Sequence, residues 1–362
     1  MSVIAFEVDS FDPVSKILQT MYLKFFLDNN TIEILQGTKF FLAKVYYPDI
    51  TLNDLYIGNT VSIYNRRYLI KKYANSATTD FMAKRESHYI CILKSKSVSI
   101  LGNLISLASE YDLKIANVKT SGNSFNLNNF SGSEGDLLIQ FVAITQKDTK
   151  SFLIKVQSLS PSGGIQAESC TPESVENLLS CFSAIQVTEE STLCLIKPHV
   201  LQANGFTGKY SFKLDGKMVW DNKEQEKNRC GSLISSISNQ GFTIKAAFSI
   251  HLSLEMAEQF FDVYKGVHPK YGNMIEQSAS GPVLALMIVS KNENQFDDFD
   301  VVKKFRDFCG PMEPELARTL RPNSLRAIYG VDLIKNAVHC TDLSEDGIIE
   351  CKHFFETLAS IV

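Results

Sequence analysis

The sequence predicts a multidomain α+β protein in which a small β-rich region precedes two α/β sandwiches. Three observations support this prediction. Residues 1–75 alternate short β-rich runs with turn signals. The order strand, helix, strand, loop, strand then occurs twice, beginning near Tyr89 and again near Thr192, which indicates an internal duplication. A length of 362 residues suffices for two or three domains.

Composition and charge exclude several classes of function. Hydrophobic residues make up 44% of the chain, and the formal net charge is -4. Bulk charge would therefore not hold the protein on nucleic acid or on an anionic membrane. No apolar run reaches the roughly 20 residues that span a bilayer. The eight cysteines form no C-x-x-C pair, which favours free thiols in the cytoplasm over a disulfide framework or a zinc site. We expect no nucleic-acid and no membrane partner.

The first region, residues 1–75, is predicted to be a small antiparallel barrel or sandwich. An Asp-Asn-Asn turn at residues 28–30 separates two β-rich runs and predicts a hairpin, because these side chains tolerate left-handed backbone. The polar residues 74–85 that follow are predicted to be a linker. The predicted strands are residues 23–27, 31–35, 40–47, 61–64 and 68–73.

The second region, residues 86–187, is predicted to alternate strands with helices. A stretch rich in Ser, Gly and Asn, residues 120–135, is predicted to be an irregular loop. The predicted strands are residues 88–93, 113–118 and 137–144, and the predicted helices are residues 100–111 and 172–185.

The third region, residues 188–362, repeats the pattern more clearly. Ser253 and Ser344 are each predicted to cap a helix. Residues 206–229 interrupt the pattern and contain Trp220, so they are predicted to be a surface hairpin or a contact for a partner. The predicted strands are residues 191–196, 242–250 and 283–289, and the other predicted helices are residues 230–240 and 299–309.

One short segment, residues 335–342, concentrates side chains that are capable of chemistry. It places the His339 imidazole near an amide, a hydroxyl and a carboxylate. Cations that bind phosphate well lie elsewhere in the same region. An imidazole among such cations is suited to accept a phosphoryl group. The residues alone leave the ordinary alternative open, which is a satisfied histidine beside solvated arginines. The cations are Lys197, Lys304, Arg306, Arg318, Arg321 and Arg326.

Four separated motifs of the third region resemble the nucleoside diphosphate kinase family, in the family's order. The remainder of the chain resembles the members that join a DM-ten domain to two kinase-like domains. The resemblance implies a ferredoxin-like sandwich for each kinase-like domain. Residues 1–75 would be the DM-ten domain, 86–187 a degenerate kinase-like domain and 188–362 a second one. The motifs are residues 192–198 (TLCLIKP), 280–286 (SGPVLAL), 326–330 (RAIYG) and 336–342 (NAVHCTD).

The resemblance implies a role for individual residues. His339 would carry phosphate between two nucleotides, and Glu350 would orient its imidazole. Magnesium would accompany ATP or a nucleoside diphosphate and would need no cage of protein ligands. The implied nucleotide-binding residues are Lys197, Arg306, Arg326, Asn336 and Thr341.

Several positions depart from the family pattern. His199 replaces an aspartate after the Lys-Pro pair, Met312 replaces a phosphate-binding threonine, and Phe261 replaces an active-site tyrosine. Residues 89–185 contain neither histidine nor arginine, so the first kinase-like domain lacks a nucleophile and a phosphate clamp. A domain that retains the fold but lacks the catalytic residues suggests a scaffold.

The resemblance implies two functions that do not exclude each other. We expect a structural component of the doublet microtubules of ciliary or flagellar axonemes, of the microtubule inner protein type. Its partners would be tubulin and other axonemal proteins, and its C-terminal domain would bind nucleotide. The alternative is an active nucleoside diphosphate kinase that works through a phosphohistidine at His339. We do not expect the hexamer of free family members, because two domains in one chain can pack on each other.

Overall fold

The computed structural model contains two large β-sheets and the helices that cover them. It describes residues 2–12, 17–48, 50–64, 66–127, 129–144, 149–160, 162–201, 209–212, 218–221, 229–290 and 300–361. Within these ranges, no helix is long and apolar enough to cross a membrane. All eight cysteines are free thiols.

The N-terminal sheet contains six strands, β1 Val3–Asp12, β2 Ile17–Phe26, β3 Thr31–Gln36, β4 Lys39–Tyr46, β5 Thr60–Ile63 and β6 Arg66–Tyr73. β2 and β3 form the predicted hairpin. Asn30 in its turn has a left-handed φ of 51°, which asparagine tolerates. The strand order is β4-β3-β2-β1-β6-β5. The strands therefore form one open sheet with edges at β4 and β5, instead of the predicted barrel or sandwich.

A helix follows this sheet where the polar sequence predicted a linker. α1 spans Ser76–Ala83. The Asn75 side chain caps it by accepting a hydrogen bond from the Thr78 amide at 2.8 Å. The Thr78 hydroxyl in turn accepts one from the Ala5 amide at 3.0 Å. The linker prediction is wrong because only Thr78 and Met82 of this helix are buried, which is too few to give an apolar period.

The second region folds as a four-stranded unit with the strand order β12-β7-β11-β8. The predicted loop at residues 120–135 contains a small hairpin of β9 and β10, and β12 was not predicted because its sequence is largely polar. The elements are β7 Ser87–Leu93, a 3₁₀ turn Ser95–Ile100, α2 Leu101–Glu110, β8 Lys114–Thr120, β9 Phe125–Leu127, β10 Phe130–Gly132, β11 Leu137–Ala143, α3 Thr149–Leu159, β12 Ile165–Cys170 and α4 Pro172–Ser180.

The third region forms a second unit of the same kind, with the strand order β16-β17-β13-β18. Its first elements are β13 Thr192–Ile196, α5 Pro198–Leu201, β14 Lys209–Phe212, β15 Met218–Asp221, α6 Arg229–Asn239, β16 Phe242–His251, α7 Leu254–Phe260, a 3₁₀ turn Asp262–Tyr264 and α8 Tyr271–Ser278. The others are β17 Pro282–Ser290, α9 Val301–Cys309, α10 Pro314–Leu320, α11 Leu325–Tyr329, β18 Val338–Cys340, a 3₁₀ turn Ser344–Asp346, α12 Gly347–Lys352, a π-helical segment His353–Leu358 and α13 Ala359–Ile361.

Local predictions in this region have mixed outcomes. The Ser253 hydroxyl accepts a hydrogen bond from the Met256 amide at 3.1 Å, which confirms the predicted cap. Ser344 is not a cap, because it lies in a 3₁₀ turn and its hydroxyl donates to Asp300. β14 and β15 pair as a hairpin within the inserted segment. The rest of that insertion, and the side chain of Trp220, lie outside the part of the chain that the structure describes.

Both units share the order of a ferredoxin-like βαββαβ sandwich, in which the first and third strands are central. They also share one eight-stranded sheet, because β8 of the first pairs with β16 of the second. The Ser249 hydroxyl accepts a hydrogen bond from the Val118 amide at 2.7 Å, and the Thr120 hydroxyl accepts one from the Ala247 amide at 2.8 Å. The duplication therefore folds as a pair that is joined along its sheet.

Helices α2 and α6 cross closely above this joint. Gly102 lies at the crossing, and a Cβ atom placed there would be 2.7 Å from both the Gly231 carbonyl oxygen and the Ser235 amide nitrogen. Side chains of both helices enter one apolar core, including Leu104 and Ile105 from α2 and Ile234 from α6. The two helices approach this closely only because residue 102 has no side chain.

The N-terminal sheet packs against both sandwich units. Its apolar core includes Val142 and Ile144 of the first unit. The Arg67 guanidinium donates a hydrogen bond to the Glu276 carbonyl of the second unit at 2.7 Å. The sheet is thus anchored to the pair.

We predict that Gly102→Ala destabilises the protein by roughly 1–3 kcal/mol, because backbone atoms of α6 must move away from the new Cβ. Gly272→Ala is the matched control, since Gly272 is likewise the second residue of its helix, but a Cβ atom placed there would have no neighbour within 4 Å. Chemical denaturation of both variants measures the difference. Equal stability of the two variants would contradict the prediction.

Candidate functional site

His339 is the central residue of β18 and lies opposite Leu195 of β13. Its side chain is only 6% exposed. The rings of Phe260 and Phe261 contact the imidazole edge-on, with centroids 5.3 and 5.4 Å away. The strand and the two aromatic rings therefore restrict how the imidazole can turn.

Glu350 on α12 fixes the orientation of this imidazole. His339 Nε2 lies 3.2 Å from Glu350 Oε2. The Thr341 hydroxyl donates to the same oxygen at 2.8 Å and accepts from the Leu193 amide at 3.1 Å. A carboxylate partner favours the proton on Nε2. Nδ1 then keeps its lone pair, and it makes no hydrogen bond within the described ranges.

The chain enters β18 through a strained residue. Ala337 has a φ of 73°, a left-handed conformation that costs a residue with a Cβ about 1 kcal/mol or more. Its carbonyl accepts a hydrogen bond from the Lys197 amide at 3.0 Å. Contacts with β13 therefore hold the backbone that leads to the imidazole.

Lys197 follows the end of β13 and is almost fully buried. Its ammonium group donates to the Ile334 carbonyl at 3.0 Å. Burial, followed by the charge of Arg326, lowers the pKa of Lys197 to about 7. This lysine can therefore gain or lose its charge near neutral pH.

Arg326 on α11 is buried and contacts the main chain. Its guanidinium donates to the Val338 carbonyl at 3.2 and 3.3 Å and to the Gly310 carbonyl at 2.8 Å. It thus supports the strand on one side of His339 and the loop after α9. The resemblance implied a phosphate contact for Arg326, whereas these three bonds engage it with carbonyl oxygens.

Arg306 and Asn336 are placed differently from each other. The Arg306 side chain is half exposed and lies 3.4 Å from a carboxylate oxygen of Asp342. The Asn336 amide donates to the Met312 carbonyl at 3.2 Å, while its buried Oδ1 has no hydrogen-bond partner among the described residues. Oδ1 is therefore an acceptor suited to a hydroxyl donor on a ligand.

The structure brings the predicted residues to one end of the second unit. His339, Glu350 and Thr341 form one hydrogen-bonded group, and Lys197 and Arg326 lie close enough for their charges to interact. The sequence did not indicate a role for Tyr264, whose ring lies 6.3 Å from His339 and whose hydroxyl donates to Asp342. Tyr264 follows Leu254, Ala257 and Phe261 at helical spacing, and such an apolar stripe indicates only packing.

His199, which departs from the family pattern, is buried beside Lys197. Its Nδ1 lies 3.2 Å from Gln277 Nε2. Burial, together with the charges of Lys197 and Arg229, holds the pKa of His199 well below its usual value. A neutral imidazole therefore stands where the family has an acidic side chain.

The first unit carries a counterpart of this site without its nucleophile. Gln166 of β12 lies opposite Ile92, just as His339 of β18 lies opposite Leu195. Lys94, the counterpart of Lys197, lies 3.1 Å from the fully buried carboxylate of Asp136. The first unit therefore has an amide at the position of His339, and its lysine is paired with a carboxylate.

The described residues contain no group of three His, Cys, Asp or Glu side chains that could hold a metal ion.

Comparisons with known proteins identify the family that this chain resembles. A sequence model of the family Nucleoside diphosphate kinase matches residues 223–359. Nucleoside diphosphate kinase homolog 7 of Mus musculus is 27% identical over 399 residues, which cover 98% of this chain and 93% of that protein. A nucleoside diphosphate kinase of Aquifex aeolicus is 32% identical over 133 residues, which cover 37% of this chain and 87% of that protein. A crystal structure of the Aquifex protein covers 47% of this chain and 97% of that chain, with 28% identity and a TM-score of 0.35. The resemblance inferred from the four motifs is confirmed.

We predict that Lys197→Met changes how stability depends on pH. An unfolded lysine has a pKa of about 10.4, so between pH 7 and 9 the unfolded wild type binds more protons than the folded form. Wild-type stability should therefore rise relative to the variant over this interval, by roughly 2 kcal/mol. Urea denaturation at several pH values measures the difference. The stability of Lys84→Met, which replaces an exposed lysine, should depend on pH as that of the wild type does. The same pH dependence in Lys197→Met would refute the prediction.

Proposed function

The chain belongs to the nucleoside diphosphate kinase family, and we propose that its C-terminal unit transfers the γ-phosphate of ATP to nucleoside diphosphates through His339. The bond between His339 Nε2 and Glu350 is the observation that carries this proposal. It leaves Nδ1 as the nucleophile within a buried, aromatic-lined site. Positioning of this kind supplies most of the catalysis in phosphoryl transfer.

The proposed reaction has two balanced halves. The Nδ1 lone pair attacks the γ-phosphorus of ATP, the bond to the β-phosphate oxygen breaks, and ADP leaves. A terminal oxygen of the acceptor diphosphate then attacks the same phosphorus and the P–N bond breaks. The Nε2 proton stays between His339 and Glu350, where the carboxylate stabilises the positive ring. Thr341 holds Glu350 through its hydroxyl.

The remaining polar residues are assigned to substrate binding. Asn336 Oδ1 would accept a ribose hydroxyl, and Lys197 and Arg306 would face the phosphates. Magnesium, brought by the nucleotide, would neutralise phosphate charge. Met312 and Phe261 offer no side-chain hydrogen bond to phosphate, so we expect turnover slower than a complete set of donors would give.

We predict that the purified protein, incubated with γ-labelled ATP, magnesium and GDP, acquires acid-labile label and produces GTP. His339→Ala should abolish both, because the first unit has no nucleophile to replace it. Gln166→Ala changes the register-equivalent residue of the first unit and should leave both unchanged. Absence of label from the wild type, although ADP binds, would overturn the proposed catalysis.

A second function, structural, is supported by the unit that lacks a nucleophile. Its sandwich is retained and packed although Gln166 occupies the nucleophile position, which fits a scaffold. The N-terminal sheet, which we assign as a DM-ten domain, exposes large apolar side chains such as Phe40 and Tyr46, at 67% and 60%. We therefore also propose a role within axonemal doublet microtubules of cilia or flagella, as a microtubule inner protein bound to tubulin and other axonemal proteins. In this role the chain would not form the family hexamer.

We predict that the protein co-sediments with salt-washed axonemes and that His339→Ala binds equally well, because His339 is buried and presents almost no surface to a partner. A Phe40→Ser/Tyr46→Ser variant should lose most of its binding through loss of apolar contact. Leu320→Ser, which changes an exposed apolar residue of the C-terminal unit, is the matched control. Absence of co-sedimentation, or equal binding by the Phe40/Tyr46 variant, would argue against this assignment.

A further inference from the structure

We propose that Tyr264 is a positioning residue for phosphoryl transfer, acting on Arg306 through Asp342. The inference deepens the proposed kinase function and rests on it. Tyr264 ends the 3₁₀ turn Asp262–Tyr264, and its ring stands edge-on to His339 with centroids 6.3 Å apart. Its hydroxyl donates to Oδ2 of Asp342. The residue therefore contacts the site on one side and a carboxylate on the other.

Asp342 is the link between Tyr264 and the arginine. Its other carboxylate oxygen, Oδ1, lies 3.4 Å from Arg306 Nη2. Its main-chain carbonyl accepts a hydrogen bond from Arg306 Nη1 at 2.7 Å. Both terminal nitrogens of this guanidinium are thus directed by one residue, whose carboxylate is itself held by the Tyr264 hydroxyl.

Arg306 needs such a support because its side chain is half exposed. The other two cations of the site are held differently, since Lys197 is buried, and Arg326 is buried and bonded to carbonyl oxygens. An exposed arginine samples many rotamers unless it is restrained, and ordering it on binding reduces affinity. Holding Arg306 beside the strand that carries His339 supplies that order in advance.

Tyr264 is also relevant to Phe261, which replaces the active-site tyrosine of the family pattern. Phe261 is 1% exposed and supplies a ring against His339 but no hydroxyl. Tyr264, three residues later, supplies a hydroxyl at the same site and directs it to Asp342. Burial, and next the bond to Asp342, raise the pKa of Tyr264 above its usual value. The hydroxyl therefore remains a donor, and its task is to position Asp342 without transferring a proton.

A merely structural role would predict a different pattern of effects. The Tyr264 hydroxyl also ties its turn to the end of β18, so its loss could lower stability without a specific effect on nucleotide. A double-mutant cycle with Arg306 separates the two roles, because only a positioning role makes the effect of Tyr264→Phe depend on Arg306.

The experiment uses the full chain as wild type, Tyr264→Phe, Arg306→Ala and the double variant. We expect Tyr264→Phe to weaken ADP binding, measured by calorimetry with magnesium, and to raise the KM for ATP, each by roughly tenfold. In the Arg306→Ala background the same substitution should change neither. Tyr329→Phe, which removes a hydroxyl placed 3.1 Å from Ser236 Oγ, is the matched control and should bind ADP as the wild type does.

Two outcomes would overturn the inference. One is unchanged ADP affinity in Tyr264→Phe, and the other is an equal loss of affinity with and without Arg306. Failure of the kinase function is seen separately, as a wild type that binds ADP but acquires no label. In that case the binding cycle still tests whether Tyr264 orders Arg306.

Discussion

A single carboxylate oxygen, Oε2 of Glu350, is the point on which the site depends. It contacts the imidazole of His339 in β18 and the hydroxyl of Thr341, the first residue after that strand. Removing it would free the ring and leave the Thr341 hydroxyl without its acceptor. Arg326 of α11 donates to the Val338 carbonyl. Side chains of two helices, α11 and α12, therefore hold the short strand β18 and the residue that follows it. The strained φ of Ala337 persists because these contacts over-determine the backbone.

The sequence predicts the fold well where periodicity is strong. The hairpin at Asn30, the buried strand Pro282–Ser290 and the helix that begins after Ser253 all follow from alternation, apolar runs or a capping serine. α1 and β12 are missed because neither shows an apolar period. Ser344 does not cap a helix because its hydroxyl donates a hydrogen bond to Asp300, which is distant in sequence. The domain boundaries remain predictions.

The site is predicted less completely than the fold. His339 is indicated by its neighbouring side chains and by the motif resemblance, Glu350 by the resemblance alone, and the structure brings the two together. The direction of a side chain cannot be inferred in this way, so the motif alone does not show that Arg326 points at carbonyl oxygens. Tyr264 is missed for a related reason. A tyrosine within an apolar stripe indicates packing, and only the placement of Asp342 reveals a partner for its hydroxyl.

The joint between β8 and β16 has a consequence for how the protein behaves in dilute solution. Two separate chains that share a sheet come apart when their concentration falls, and their stability is tied to that concentration. Here the chain itself connects the two halves, so each stays at a high effective concentration relative to the other. Dilution therefore does not separate the second unit from the first. Replacing one unit by that of another molecule would require the shared sheet to break. Each chain therefore carries one His339 for its two sandwich units.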